Sequence, residues 1–368
     1  MVFLTLPNSK RTILHLALFT VFLAACASPA GTSTPAPTPA PIPTATAIAL
    51  TSTPTLALTV TPTPSPTPEN APVFRFPAPG LIHDLHWSPD GSQLAIAAGT
   101  DIHLYDASLV EQHTFVLGLW TERIAFHPSA PILGAAAKDG SIRFWNTTSG
   151  AEICKFTAHS KGANSLALQP GGNLLITTGT DIISRVWDIS SVLAGGCDVK
   201  AGALLIGSSY TAPDVAFSAD GQAFALVDIK DVYLRESRTR KLIAVLKSNL
   251  SIFDIALSPD GRWLAAAQSA ASVTLWDLTA HPRPTATVLH LPANKPQTYV
   301  WRVDFSSDSS LLAGAASDGA LLVWGLPDLQ PVFSRNLAGA ISGLAFKPGA
   351  RLLTAGTLDG SVYMYSVK

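Results

Sequence analysis

The sequence predicts an all-β fold, a β-propeller of seven four-stranded blades preceded by a signal peptide and a Thr/Pro-rich linker. Three observations predict it. A short apolar run ending in a large side chain recurs seven times, at Trp87, Phe126, Leu168, Phe217, Leu257, Phe305 and Phe346, with gaps of 39, 42, 49, 40, 48 and 41 residues. Most of these runs lead into a turn such as Ser88-Pro89-Asp90-Gly91, in which Pro presets φ, Asp satisfies a nearby amide and Gly takes positive φ. The runs on either side alternate in the period of two that strands require. A lone four-stranded sheet cannot bury both faces, whereas seven packed in a ring can.

The first 25 residues read as an export signal. Lys10 and Arg11 give a small positive start, and the apolar run from Thr12 to Leu23 is shorter than the roughly 20 residues that span a bilayer. The run ends in Leu23-Ala24-Ala25-Cys26. This resembles the bacterial lipobox, which implies cleavage before Cys26 and lipidation of its thiol. Residues 26–71 then form the lipidated Cys and a tether of Thr, Pro, Ala and Ser. Proline removes amide donors, so neither helix nor sheet is favoured. About 40 residues at ~3.1 Å each reach on the order of 120 Å when extended. The expected location is the bacterial cell membrane, lipid-anchored on its extracytoplasmic side.

Residues 72–368 hold the seven units. In several, the second run after the turn is rich in small residues, as in Gly134-Ala135-Ala136-Ala137 and Ala265-Ala266-Ala267, which would let neighbouring blades approach closely. A third run ends each unit, as in Arg185-Val186-Trp187-Asp188 and Thr274-Leu275-Trp276-Asp277. The last unit stops after its third strand near Val367, while an unpaired run, Val73–Phe76, precedes the first.

The period near 40–45 residues and the Trp-Asp endings at 187–188 and 276–277 resemble the WD40 repeat family over the whole of 72–368. Trp145-Asn146, Trp324-Gly325 and Tyr105-Asp106 are variants of that ending; the family's Gly-His dipeptide is nearly absent, with Ala158-His159 its best remnant. The resemblance implies that residues 72–77 supply the closing strand of the last blade, beside Ser361–Ser366. It implies a structural hydrogen-bond tetrad of His159, Thr177, Asp181 and Trp187, with Asp139, Asp318 and Asp359 at the matching turn in other blades. It also implies that the face where the inner strands begin contacts partners. On that face the sequence puts Asp84, Arg123, Asp214, Asp254 and Arg302, with Trp120, Tyr210, Phe253, Tyr299 and Trp301 nearby. Aromatics and Arg are enriched at interface hot spots.

With Cys26 lipidated, Cys154 and Cys197 remain, at comparable places in consecutive units. They are either a disulfide, which an exported domain permits, or two free thiols. No G-x-S-x-G, phosphate-cradling loop, H-E-x-x-H or C-x-x-C occurs. The cluster His83-Asp84-Leu85-His86 alternates, so Asp84 and His86 share a face that His83 does not, a poor geometry for metal. No cofactor is expected. A net charge of −1 and pI near 6.7 give no basic field for nucleic acid. The resulting expectation is a monomeric, non-enzymatic scaffold for a protein or peptide, attached to the membrane through its lipid. Its alternatives are a propeller lyase or hydrolase using the mouth carboxylates, or the sensor or solute-binding part of an envelope system.

Overall fold

The computed structural model describes residues 74–205, 214–280, 283–292, 295 and 297–368. The signal peptide, Cys26, the tether and Tyr210 lie outside the described residues. Among these, seven antiparallel four-stranded sheets are present. In chain order the blades are 82–116, 121–157, 163–205, 215–246, 252–290, 300–336 and 341–366 with Phe74–Pro77. Their first strands, Ile82–Trp87 to Ile341–Phe346, line the axis. No helix among the described residues is long and apolar enough to cross a membrane.

The turns form as their chemistry demands. Asp90 Oδ1 accepts from Ser88 Oγ at 2.6 Å and from the Ser92 amide at 3.0 Å, while Ser88 Oγ accepts from the Gln93 amide at 2.9 Å. The same Ser–Asp pair recurs as Ser218–Asp220, Ser258–Asp260 and Ser306–Asp308 at 2.6, 2.5 and 2.6 Å. Gly91, Gly221 and Gly261 supply positive φ at the next position. In the sixth unit Ser309 takes that conformation at φ 59° instead, and its hydroxyl accepts from the Asp260 amide of the previous blade.

One buried apolar cluster sits at each of the seven blade–blade interfaces. Between the first two blades, for example, Ala95, Ala97, Ile102 and Leu104 meet Ile124, Leu133, Ala135 and Trp145. The small residues of the second strands therefore lie between blades, fully buried, and the large ones fill the outer part of the wedge. Burial of this apolar area is the main driving force for closure.

The ring is closed by its own first strand. Phe74, Arg75, Phe76 and Pro77 pair antiparallel with Met364, Tyr363, Val362 and Ser361. The first and last blades are also tied directly: the Trp87 indole donates to Thr354 Oγ1 at 2.9 Å, Ser342 Oγ donates to the Ile82 carbonyl at 2.6 Å, and Lys347 Nζ stands 4.7 Å from the Trp87 ring. Both polar ties span a sequence separation above 250 residues.

In the third blade the four residues of the expected tetrad are joined. The Trp187 indole donates to Thr177 Oγ1 at 2.9 Å, Thr177 Oγ1 meets His159 Nε2 at 2.9 Å, and His159 Nδ1 meets Asp181 Oδ1 at 2.8 Å. Burial holds the His159 imidazole below its ordinary pKa, despite the adjacent Asp181. Burial works to raise Asp181, but its bonds to His159 and Arg185 prevail and hold it down at about 2. Asp139, Asp318 and Asp359 each accept the amide two residues on, at 2.9, 3.1 and 3.0 Å.

Cys154 and Cys197 are joined as a disulfide. It links the outer strand of the second blade, Glu152–Thr157, to the segment between the third and fourth strands of the third blade. That segment carries the one-turn helix Ser190–Leu193, whose Val192 is buried against the interface of the two blades.

Removing residues 71–78 is expected to lower the melting temperature by roughly 5 °C or more, because the seventh blade is left with three strands. A thermal unfolding curve displaced by about a degree or less would contradict closure by this strand.

Candidate functional site

Six of the seven inner strands carry a register irregularity near their start, between Ile82 and Asp84, Thr121 and Arg123, Ala163 and Ser165, Ile252 and Asp254, Val300 and Arg302, and Ile341 and Gly343. A bulge re-aims a side chain out of the regular alternation. Here it turns the residue after it toward the axis. A cavity of about 160 Å³ on the axis is lined by Asp84, Arg123, Ser165, Asp214, Asp254 and Arg302, with His86 and Asp304 beyond them.

The acidic members reach sideways to the next blade. Asp84 Oδ2 accepts from the Ile124 amide at 3.0 Å, Asp214 Oδ2 from the Ile255 amide at 3.0 Å, and Asp254 Oδ2 from the Val303 amide at 2.8 Å. In each case the donor is one residue past the matching position of the following blade. Asp304 ties the sixth blade to the seventh in a related way, accepting from the Phe346 amide at 2.7 Å.

Arg123 holds the other carboxylate oxygens. Its Nη2 donates to Asp254 Oδ1 and lies 3.3 Å from Asp214 Oδ1, and its Nη1 is 3.7 Å from Asp84 Oδ1. Ser165 Oγ donates to Asp214 Oδ1 at 2.7 Å. Arg302 stands 3.8 Å from Asp84 and donates to the carbonyls of His83 and Trp301, both at 3.1 Å. Five blades thus share one buried charge cluster. Removing one member of such a cluster leaves its partners uncompensated.

The cluster sets its own ionisation. Burial disfavours the Arg123 cation, but Asp214, Asp254 and Asp84 more than offset this and raise its pKa. Burial pushes the Asp214 carboxyl up, with Arg123 opposing and Asp254 adding to the shift. Burial also acts to raise Asp254, yet Arg123 and Arg302 prevail and lower it. Desolvation lowers His86, against the pull of Asp84 3.6 Å away. Asp304 has no guanidinium beside it, and burial pushes it up to about 7.

The sequence-predicted partner residues therefore separate into two groups. Asp84, Arg123, Asp214 and Asp254 are buried and serve the joint between blades, as does most of Arg302; their expected place on an open face is corrected. At Asp84, Arg123, Asp254 and Arg302 the bulge explains the difference, since simple alternation does not show it; Asp214 makes the same tie beside a strand without one. Trp120, Phe253, Tyr299 and Trp301 stand at or next to the starts of their inner strands, the end termed the rim of the mouth. Trp120 is 39% exposed and its ring lies 4.9 Å from His83. Phe253 and Tyr299 meet edge to face at 5.5 Å, and Trp301 is half-buried. Asp304 escaped the sequence argument, although it stands two residues past Arg302 and so shares its face. Among the described residues no group of three or more His, Cys, Asp or Glu is arranged to hold a metal.

Asp304 gives a pH prediction. The unfolded carboxyl ionises near 3.8 and the folded one at about 7. Between these values the folded state keeps a proton that the unfolded state has released, so this group makes stability fall as pH rises through that window. In Asp304→Asn the fall is expected to be absent. Melting temperature against pH should then diverge from the parent between about pH 4 and 7, the variant gaining; parallel curves would contradict the assignment.

The WD domain, G-beta repeat family matches residues 240–277, 286–325 and 330–366. Each matched stretch begins in or near the outer strand of one blade and ends with the third strand of the next, the offset that leaves the closing strand to the N-terminal side. A second family, eukaryotic translation initiation factor eIF2A, matches residues 67–190. Similar curated proteins include "Protein LST8 homolog" of Drosophila melanogaster, 27% identical over 51% of this chain and 60% of that protein. The "p21-activated protein kinase-interacting protein 1-like" of Danio rerio is 24% identical over 73% of this chain and 71% of its own. The "Small ribosomal subunit protein RACK1y" of Oryza sativa is 25% identical over 56% and 47%. The chain thus spans about three fifths of the length of the fly relative. The chain is a seven-bladed β-propeller that carries WD40 repeats, three of them matched, at 240–277, 286–325 and 330–366.

Proposed function

We propose that this propeller is a binding scaffold for a protein or peptide, that it is not an enzyme, and that it is held on the extracytoplasmic side of a bacterial membrane by a lipid on Cys26. The observation that carries the binding role is the division of labour at the mouth. The carboxylates that a lyase or hydrolase would need there are engaged by backbone amides, Arg123 and Ser165, while the side chains left at the rim are aromatic. Aromatic rings give large contact area at low conformational cost and anchor interfaces. The Danio rerio relative, whose printed name makes it a kinase-interacting protein, supports a partner-binding role.

The Cys154–Cys197 bond supports export, because structural disulfides persist in oxidising compartments. The Thr/Pro segment fits the part of a spacer between the lipid and the ring.

The test uses Trp120→Ala with Trp301→Ala, both outside the charge cluster, followed by capture from the native envelope. One or more partners seen with the parent should be lost while the melting temperature stays within about 2 °C. An unchanged partner set would overturn this face. Mass analysis of the N-terminal peptide reports the anchor separately, and an unlipidated Cys26 would overturn that part.

A further inference from the structure

The two ends of the ring differ. Inner strands begin at the aromatic rim and end at the opposite side, and third strands run the same way. The turn 237–241 follows a third strand, Asp231–Glu236, and so lies at the end away from the rim. Phe74 pairs with Met364, toward the finish of another third strand, so the chain enters the ring from that same end.

The fourth blade carries Arg235, Arg238, Arg240 and Lys241 there, four cations within seven residues of a chain whose net charge is −1. Among the described residues none of them stands within ion-pair distance of a carboxylate, unlike Lys247, Arg262 or Arg351. The one acid among them, Glu236, accepts from Thr239 Oγ1. Arg235 donates to the Arg240 carbonyl at 2.9 Å, and the Nε atoms of both guanidiniums are buried without a partner. Arg238 and Lys241 are exposed. The next two residues, on the outer edge strand Leu242–Leu246, are apolar and open to solvent: Leu242 is 49% and Ile243 56% exposed.

We infer that this tip, Arg235 to Ile243, docks on an anionic lipid surface. Unneutralised cations beside exposed aliphatic side chains match the headgroup boundary, where phosphate takes the charge and the acyl region takes the apolar groups. The aliphatic pair favours a bilayer over a free phosphate, which would have no use for it. Docking at this end also leaves the aromatic rim facing away from the membrane. The inference rests on the membrane placement proposed above, and is tested apart from it.

The full chain is incorporated into vesicles of phosphatidylcholine alone or with about 30% phosphatidylglycerol, and labelling of the Lys241 amine by a water-soluble reagent is followed. Labelling is expected to be at least about fivefold slower in the anionic vesicles and to recover in 0.5 M salt, which screens surface charge. Arg238→Glu with Leu242→Ser should abolish the difference without moving the melting temperature by more than about 2 °C. Equal rates in both vesicles, or a variant that behaves as the parent, would overturn the inference. So would equal slowing by inorganic phosphate with neutral vesicles, which would make the ligand a free anion. Failure of the chain to float with neutral vesicles speaks only against the lipid anchor; flotation with the anionic ones then reads the inference, and its absence there overturns it.

Discussion

The buried carboxylate of one inner strand accepting an amide of the next is the interaction on which the ring depends. Apolar clusters between blades supply most of the driving force, but such burial has no direction and tolerates sliding. The ties from Asp84 to Ile124, Asp214 to Ile255 and Asp254 to Val303 fix the stagger of neighbouring blades. They also place three negative charges around a narrow axis, which Arg123, near all three, and Arg302, beside Asp84, offset. An unpaired carboxylate at such depth would cost several kcal/mol, on the order of what a whole domain has to spare.

In the proposed role, this arrangement separates structure from recognition. The polar groups of the channel tie the blades together, and the aromatic rim is left for the proposed partner. The opposite end takes the entering chain and the basic tip of the fourth blade.

Much of the architecture was legible in the residues. The spacing of Trp87 to Phe346 counted the blades, the Ser-Pro-Asp-Gly turns placed the hairpins, and the three-stranded last unit pointed to the strand before the first. His159, Thr177, Asp181 and Trp187 were recognisable through the family pattern. The column Asp84, Arg123, Asp214, Asp254, Arg302 was also visible, but its meaning was not. At Asp84 and Asp254 the turn of the carboxylate sideways to an amide accompanies a one-residue bulge, which has no signature in alternation. The same limit hid Trp87–Thr354 and Ser342–Ile82, since contacts between residues more than 250 apart depend on closure and not on local pattern. The pairing of Cys154 with Cys197 depended likewise on the angle between two blades.

Amide hydrogen exchange in Asp254→Ala tests the central claim most directly. Val303 should lose about tenfold or more protection relative to Ile124, whose acceptor Asp84 is intact, as expected for one lost buried bond. If Val303 and Ile124 keep the same relative protection as in the parent, the carboxylate does not tie its neighbour, and the ring is held in register by something else.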